Sequence, residues 1–358
     1  MPGGWRRPSG RSVRWWARGT GAIAVPARPR GRPRRATGSP WRDDDGEATS
    51  LLSGCLAMLC SSKVLQSIGS RRAHVALGPW LVALRFGGSS PISPPCAGPV
   101  AGMACVEAGA FVRGDDSIEA ATPREAVWLS TYYIDVYEVT NADYRGCVAA
   151  GACAPAGPRY AGFDRDQLPV QGISWFDADR YCQAAGKRLP TEAQWEKAAR
   201  GTEGATYPWG NQPATCERAV FADRSGRGCG RAKRGAHPET GQPWPVGSRP
   251  AGVYGLHDMA GNAYEWVADW GAPSYGACGE ACRGIDPRGP CAGESVCAAF
   301  PRKVVRGGSW YWGPGRAKAA SRRFHVPDNQ PFHHFGFRCA ATPEQARRLG
   351  AGSPPGRG

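Results

Sequence analysis

The carboxylates of residues 255–266, GLHDMAGNAYEW, are the first candidates for chemistry in this chain. Asp258 and Glu265 lie on either side of a Gly261-Asn262 pair, which favours a tight turn. Calcium prefers six to eight hard oxygen ligands, and carboxylates and backbone carbonyls on an irregular loop commonly supply them. The segment therefore predicts either a calcium site or a turn that leaves both carboxylates solvated.

A second candidate region is the aromatic run WYW that follows RGGS at residues 306–309. Aromatic faces pack on sugar rings, peptide side chains and cations, and they are common interface anchors. Tyr311 and Trp312 are therefore candidates for a surface that contacts a ligand.

Three histidines near the C-terminal end, His325, His333 and His334, could form a small metal site or an acid/base site. The alternative is that this aromatic-rich stretch is a buried loop. The sequence contains no HExxH, GxSxG or P-loop motif, so these familiar catalytic and phosphate-binding patterns give no assignment.

Cysteine usage points to an oxidising compartment. Twelve cysteines from Cys96 onwards form an even set in a Gly- and Pro-rich chain, which is typical of a disulfide framework. Two close pairs are Cys147 with Cys153 and Cys216 with Cys229. A further cluster has spacings that zinc ligands also use: Cys278, Cys282, Cys291 and Cys297. We expect local disulfides in all of these clusters, with zinc as the alternative for the last one.

The net charge of +15 does not indicate a nucleic-acid-binding domain. Residues 1–100 carry +11 of it and residues 101–358 carry only +4. A basic binding face would require the excess to lie on the folded part. No nucleic-acid partner is expected.

Residues 1–100 are predicted to be a disordered basic head, because their Pro-, Gly- and Arg-rich runs bury too little apolar surface. Within them, arginines 71–72 precede an apolar run at residues 73–84, which resembles an export signal. Membrane anchoring through this region is one alternative, and a protein that starts at Met58 or Met103 is another. No uncharged apolar stretch reaches the length of about 18 residues that a spanning helix needs.

The elements that must position the candidate residues are short. Ser174, with Asp177 three residues later, predicts the start of one helix, and Gly186 predicts its end. Thr191 and Gln194 form a capping-box pattern that begins a second helix. Elsewhere, short β-like runs alternate with loops rich in Gly and Pro, so a low content of regular structure is expected.

Six motifs occur in an order that strongly resembles the formylglycine-generating-enzyme, or sulfatase-modifying-factor, family. They are YYIDVYEVTNADYRGCV, LPVQGISWFDADRYCQAAGKRLPTEAQWEKAARG, YPWGN, VYGLHDMAGNAYEWVADW, VVRGGSW and FGFRCA. The resemblance implies a single α+β domain, loop-rich and related to C-type lectins. We place it at residues 101–345, with a disordered tail at residues 346–358.

The resemblance also implies site residues. Asp258 and Glu265 would bind calcium through their side chains, and Gly261 and Ala263 through their carbonyls. Cys182 and Cys339 would form a disulfide, which spacing alone does not indicate.

Catalytic members of the family carry a cysteine three residues after the serine of RGGS and another five residues further on. These thiolates bind Cu(I), which favours soft ligands. Counting from Ser309 places Trp312 and Ala317 at those positions, so copper binding is not expected.

Three functions follow from the resemblance. The first is an exported, non-catalytic module that binds an unidentified ligand or protein partner. The second is an active oxidase that converts a sulfatase cysteine to formylglycine with other copper ligands or by a different mechanism. The third is an enzyme of unknown reaction that uses the histidines.

Overall fold

The computed structural model describes residues 93–157, 162–230, 241–328 and 334–351. The predicted head up to residue 92 with its export signal, His333, and the predicted tail from residue 352 lie outside these residues. Across the four ranges, no helix is long and apolar enough to cross a bilayer. The described residues belong to one compact unit, as a single domain requires.

Two N-terminal helices start at side-chain caps. Thr140 caps α1 (Asn141–Ala149). Ser174 caps α2 (Trp175–Ala184) by accepting a hydrogen bond from the backbone N–H of Asp177. Such caps satisfy backbone donors that the first helical turn leaves without partners.

α3 (Glu192–Arg200) contains the predicted capping box, in which Thr191 and Gln194 exchange hydrogen bonds. It ends at Gly201, whose φ of 73° lies in the left-handed region that favours glycine. Both predicted helices are therefore confirmed, together with their capping residues.

Nine short strands form three sheets within the described ranges. They are β1 (Met103–Val106), β2 (Gly109–Arg113), β3 (Glu125–Leu129), β4 (Tyr132–Asp135), β5 (Tyr264–Trp270), β6 (Lys303–Arg306), β7 (Arg323–His325), β8 (Phe335–Phe337) and β9 (Ala340–Ala341). The sheet orders are β1-β4-β9, β2-β3 and β7-β6-β5-β8. In the last sheet β6 is antiparallel to β5 and β7, whereas β8 is parallel to β5. α4 (Tyr275–Cys278) follows β5.

β5 separates the two largest apolar clusters. Tyr264 and Trp266 lie in the cluster that includes α2 residues, whereas Val267 lies in the cluster that contains Trp195 of α3. This division follows from the alternation of side chains along a strand. Glu265 accordingly lies on the same side as Trp195.

Six disulfides link the twelve cysteines of the described residues. The pairs are Cys96–Cys105, Cys147–Cys153, Cys182–Cys339, Cys216–Cys229, Cys278–Cys282 and Cys291–Cys297. The expected pairs are all present, including the one that the family resemblance implied. The cluster considered for zinc forms two local disulfides and has no thiolates left for a metal.

The domain starts earlier than residue 101. Cys96 is bonded to Cys105 of β1, and the backbone N–H of Ala97 donates to the hydroxyl of Tyr133 at 2.6 Å. That hydroxyl donates in turn to the carbonyl of Gly98 at 3.0 Å. The assignment of residues 93–100 to a disordered head is therefore wrong, because these contacts join them to the first sheet.

The prediction of a disordered tail is also wrong for its first six residues. α5 (Pro343–Ala351) includes them. Thr342 and Gln345 exchange the hydrogen bonds of a capping box, and Ala346 is fully buried. The Thr-Pro-Glu-Gln start of α5 is a helix signal that was overlooked in the prediction of a disordered tail.

Candidate functional site

Glu138 and Asp258 are buried carboxylates beside the turn that precedes β5. Glu138 accepts hydrogen bonds from the side-chain amide of Asn262 at 2.6 Å and from the backbone N–H of Ala263 at 2.8 Å. Asp258 accepts one from the backbone N–H of Gly247 at 2.7 Å. The Gly-Asn turn is therefore present, but its carboxylates are not solvated.

Glu265 is fully buried and forms an ion pair with Arg338. Nη2 of Arg338 lies 2.7 Å from Oε1 of Glu265, and Nε lies 2.7 Å from Oε2. The indole N–H of Trp195 donates to Oε2, also at 2.7 Å. This two-point contact fixes the carboxylate plane and is among the stronger ion-pair geometries.

Two of these buried carboxyl groups, Glu138 and Asp258, have raised pKa values. Burial raises the pKa of Glu138 well above its ordinary value, and Asp258 and Glu265 raise it further. Burial also raises the pKa of Asp258, while the hydrogen bond from Gly247 and the charge of Arg338 lower it. A cation bound here would relieve the repulsion that contributes to these shifts.

Asp258 and Glu265 carry the carboxylate oxygens that calcium prefers, although both oxygens of Glu265 already accept hydrogen bonds from Arg338 and Trp195. The resemblance implies that the carbonyls of Gly261 and Ala263 would bind the ion as well. In the described part of the chain, no three His, Cys, Asp or Glu side chains could hold a metal ion together. A calcium ion would therefore depend on backbone carbonyls and water for its remaining ligands.

The RGGS segment lies directly against this loop. The backbone N–H of Trp310 donates to the carbonyl of Asn262 at 2.9 Å. Gly308 has a φ of 75°, and a Cβ there would lie 2.7 Å from the carbonyl oxygen of Arg316. Glycine is required at this position because it allows the following loop to fold back closely.

Trp312 and Ala317 occupy the positions at which the resemblance implies copper-binding cysteines. Ala317 is buried and packs in an apolar cluster with Ala219, Phe221 and Ala260. Neither an indole nor a methyl group ligates Cu(I) as a thiolate does. The twelve cysteines of the described residues are all in disulfides, so none of them offers a thiolate.

The predicted contact surface is half-buried rather than open. Tyr311 stacks on His334 with ring centroids 5.3 Å apart, and the guanidinium carbon of Arg227 lies 3.6 Å from the Tyr311 ring centroid. Trp312 packs edge-on against His334 at 6.3 Å. Trp312 and Tyr311 thus belong to an aromatic cluster that keeps part of each ring accessible.

The two described histidines of the predicted histidine site contribute to aromatic packing. The rings of His325 and His334 each lie 4.8 Å, between centroids, from the ring of Phe335 in β8. Their surroundings resemble the buried loop that was the alternative interpretation.

Two buried donors beside the aromatic cluster have no hydrogen-bond partner among the described residues. They are the hydroxyl of Tyr264 and the indole N–H of Trp312. The guanidinium carbon of Arg323 lies 4.9 Å from the Trp312 ring centroid and 5.8 Å from that of Tyr264. Burial raises the pKa of Tyr264, whereas Arg323 and Arg316 lower it, which indicates that both guanidinium groups lie near the hydroxyl.

The model of the sulfatase-modifying factor enzyme 1-like domain matches residues 89–343. The chain belongs to this family. The match begins before residue 93, in agreement with the early start of the domain. The α+β, loop-rich fold that the motif order implied is thereby confirmed.

Relatives of this sulfatase-modifying-factor domain include proteins named as formylglycine-generating enzymes and proteins named as inactive. A formylglycine-generating enzyme of Thermomonospora curvata is 39% identical over 201 residues, which is 53% of this chain and 61% of that protein. An inactive C-alpha-formylglycine-generating enzyme 2 of Bos taurus is 34% identical over 209 residues, 56% of this chain and 57% of that protein. The chain thus spans less than two thirds of either relative.

Among solved structures, Treponema denticola variable protein 1 has the same fold, with a TM-score of 0.53 and 22% identity over 67% of this chain and 94% of that one. Similarity of fold does not decide activity, since function depends on the residues of the site.

Sequence reasoning missed four residues of this site in the sulfatase-modifying-factor domain: Glu138, Tyr264, Arg323 and Arg338. Three of them fall within quoted motifs, but motif membership does not indicate which buried partner each one contacts. Only the folded arrangement brings them to the candidate calcium loop and the aromatic cluster.

Proposed function

We propose that this chain is a non-catalytic member of the sulfatase-modifying-factor family that binds a ligand where catalytic members bind copper. The observation that carries the proposal is the pair Trp312 and Ala317 at the copper positions, with all twelve cysteines of the described residues in disulfides. Cu(I) chemistry in the family requires two soft thiolates.

The substituted residues also support a binding role. Ala317 is packed in an apolar cluster, and Trp312 brings a large aromatic surface and an N–H donor. Aromatic side chains with a polar edge are common anchors in binding sites. The relative of Bos taurus named as inactive is consistent with a family that includes non-catalytic members.

Formylglycine formation is the competing function. The identity of 39% to a protein named formylglycine-generating enzyme favours it. It would require copper ligands other than the two cysteines of the motif. An enzyme of unknown reaction that uses His325 or His334 is a third candidate.

The proposed compartment is oxidising, either exported or lumenal. Six disulfides support this, because such bonds persist outside reducing compartments.

Calcium is proposed as a structural ion, bound by Asp258, Glu265 and the carbonyls of Gly261 and Ala263. Its role would be to neutralise buried negative charge, and it takes no part in a reaction.

The test is incubation of copper-loaded protein and oxygen with a sulfatase-derived peptide that contains a cysteine. We expect no conversion, measured by mass spectrometry and by labelling of the carbonyl product with a hydrazine. Robust conversion would reject the proposal and favour the oxidase.

A double variant, Trp312→Cys with Ala317→Cys, tests whether only the ligands are missing. We expect it to gain Cu(I) binding in competition with a chromogenic chelator, while the matched Trp312→Ser, Ala317→Ser variant does not. Equal copper binding by the wild type and the double cysteine variant would show that the wild type has other copper ligands.

A further inference from the structure

Two hydrogen-bond donors beside the aromatic cluster are the indole N–H of Trp312 and the hydroxyl of Tyr264. The indole N–H of Trp312 can only donate, and the phenol of Tyr264 donates its O–H at neutral pH. Both atoms are buried without a partner among the described residues, and Tyr264 is only 2% exposed. A buried donor without a partner costs free energy, so a ligand with acceptor atoms would recover it.

Positive charge accompanies these donors. The guanidinium carbon of Arg323 lies within 6 Å of the rings of both Tyr264 and Trp312. Arg323 approaches the Tyr264 hydroxyl without forming a hydrogen bond of normal geometry. No described carboxylate forms an ion pair with Arg323.

The sheet topology explains why these groups converge. β5 and β7 both run antiparallel to β6, so each of them starts where β6 ends. Tyr264 is the first residue of β5 and Arg323 the first of β7, while Trp312 lies in the loop that leaves β6. The three residues therefore meet at one end of a rigid sheet, which fixes their relative positions.

We propose that Tyr264, Trp312 and Arg323 form an anion site that binds an oxyanion group of the ligand, namely a carboxylate, sulfate or phosphate. The inference rests on the proposed binding function and adds the chemical class of the ligand. An oxyanion accepts hydrogen bonds from all three groups at once, and charged acceptors bind guanidinium donors more strongly than neutral ones do. The exposed part of the Trp312 ring would contact the apolar part of the same ligand.

The experiment is a titration of the full chain with sodium sulfate, inorganic phosphate and sodium acetate at constant ionic strength. The readout is the indole ¹H–¹⁵N resonance of Trp312, assigned by its absence in Trp312→Phe. We expect this resonance to shift and to saturate with at least one anion. The three anions distinguish a carboxylate from a tetrahedral oxyanion.

Two variants test the donors. Arg323→Gln should weaken anion binding about tenfold or more, since a hydrogen bond to a charged group is lost. Tyr264→Phe should also weaken it, yet should leave the ligand-free protein equally stable or more stable, because an unpartnered buried hydroxyl is removed. If the Tyr264 hydroxyl had only a structural role, Tyr264→Phe would make the ligand-free protein less stable.

Arg348→Gln is the matched control, because Arg348 is an exposed arginine on α5 that pairs with Glu344. It should leave anion binding unchanged. The proposal is overturned if the Trp312 resonance does not move with any anion, or if Arg348→Gln weakens binding as much as Arg323→Gln. Formylglycine turnover would reject only the non-catalytic function, so the two proposals fail separately.

Discussion

Asp269, in β5, is a buried carboxyl whose protonation affects stability near neutral pH. Its Oδ2 accepts a hydrogen bond from the backbone N–H of Glu192 at the start of α3, at 2.7 Å. Burial, followed by the negative charge of Glu192, raises the pKa of Asp269 to about 7. The residue is therefore partly protonated in the folded protein under ordinary conditions.

The direction of the pH effect follows from linkage. Because the folded-state pKa of Asp269 lies above the unfolded value of about 4, its stabilising contribution is complete below about pH 4 and is lost as the pH rises through about 7. Asp269→Asn keeps an oxygen acceptor for Glu192 but cannot titrate. We expect the free energy of unfolding of the wild type to fall more steeply than that of the variant between about pH 4 and pH 7, by up to about 1.4 kcal/mol per pH unit.

Urea denaturation at several pH values measures these slopes. Asp166→Asn changes an exposed carboxylate and should retain the wild-type slope. Identical slopes for the wild type and Asp269→Asn would contradict the assignment of a raised pKa to Asp269.

Individual residues differ in how far the sequence predicts their roles. Trp312 and Ala317 lie at fixed positions after Ser309, where the catalytic members of the family carry their copper-binding cysteines. The absence of these cysteines is therefore visible in the sequence itself. The contact of Glu138 with Ala263 joins residues 125 positions apart, and no local pattern indicates it. Long-range partners of buried charges are therefore the part of the site that the sequence did not predict.

α3 is the element in which prediction and structure differ most informatively. Its capping box is as predicted, and its apolar residues Trp195, Ala198 and Ala199 are buried. However, all nine of its residues are buried, including the charged Glu192 and Glu196. An amphipathic pattern predicts one exposed polar face, but here that face is covered by arginines from other elements.

Arg306 of β6 is central to this buried network. Its Nη1 donates to Glu192 at 2.8 Å, and its Nη2 donates to Glu196 at 2.7 Å. Arg322 also pairs with Glu192. Burial alone would raise the pKa of Glu196, but Arg306 and Arg200 lower it below its ordinary value. The glutamates therefore remain ionised inside the protein.

Arg306→Met should destabilise the protein by roughly 3–5 kcal/mol, because removal of one partner leaves buried carboxylates without their compensating charge. Urea denaturation gives the free energy of unfolding. Arg348→Met, which breaks an exposed pair on α5, should cost less than about 1 kcal/mol. A loss below about 1 kcal/mol for Arg306→Met would show that the network contributes little to stability.

The molecule as a whole depends on links between distant parts of the chain. The disulfide of Cys182 with Cys339 joins residues 157 positions apart, whereas Cys278 and Cys282 are only four apart. Long closed loops restrict the unfolded chain most. Local pairs could be predicted from spacing, but the long link followed only from the family resemblance, because its closure depends on the fold.

Bound calcium would also stabilise the molecule as a whole, because a ligand that binds only the folded state stabilises the entire domain. At a concentration about a hundred times the dissociation constant, the gain is roughly 2.7 kcal/mol, which corresponds to a rise of roughly 5–10 °C in melting temperature for a domain of this size. We therefore expect a chelator to lower the melting temperature and calcium to restore it.

Asp258→Asn is the informative variant. It removes one carboxylate charge, keeps an oxygen acceptor for Gly247, and tolerates the left-handed backbone at this position, where φ is 57°. The calcium-dependent rise in melting temperature should shrink to less than half in this variant, because hard carboxylate oxygens dominate calcium affinity. Glu344→Gln, at an exposed carboxylate of α5, should keep the full response. A melting temperature that is the same in calcium and in chelator would mean that Arg338 alone compensates the buried carboxylates.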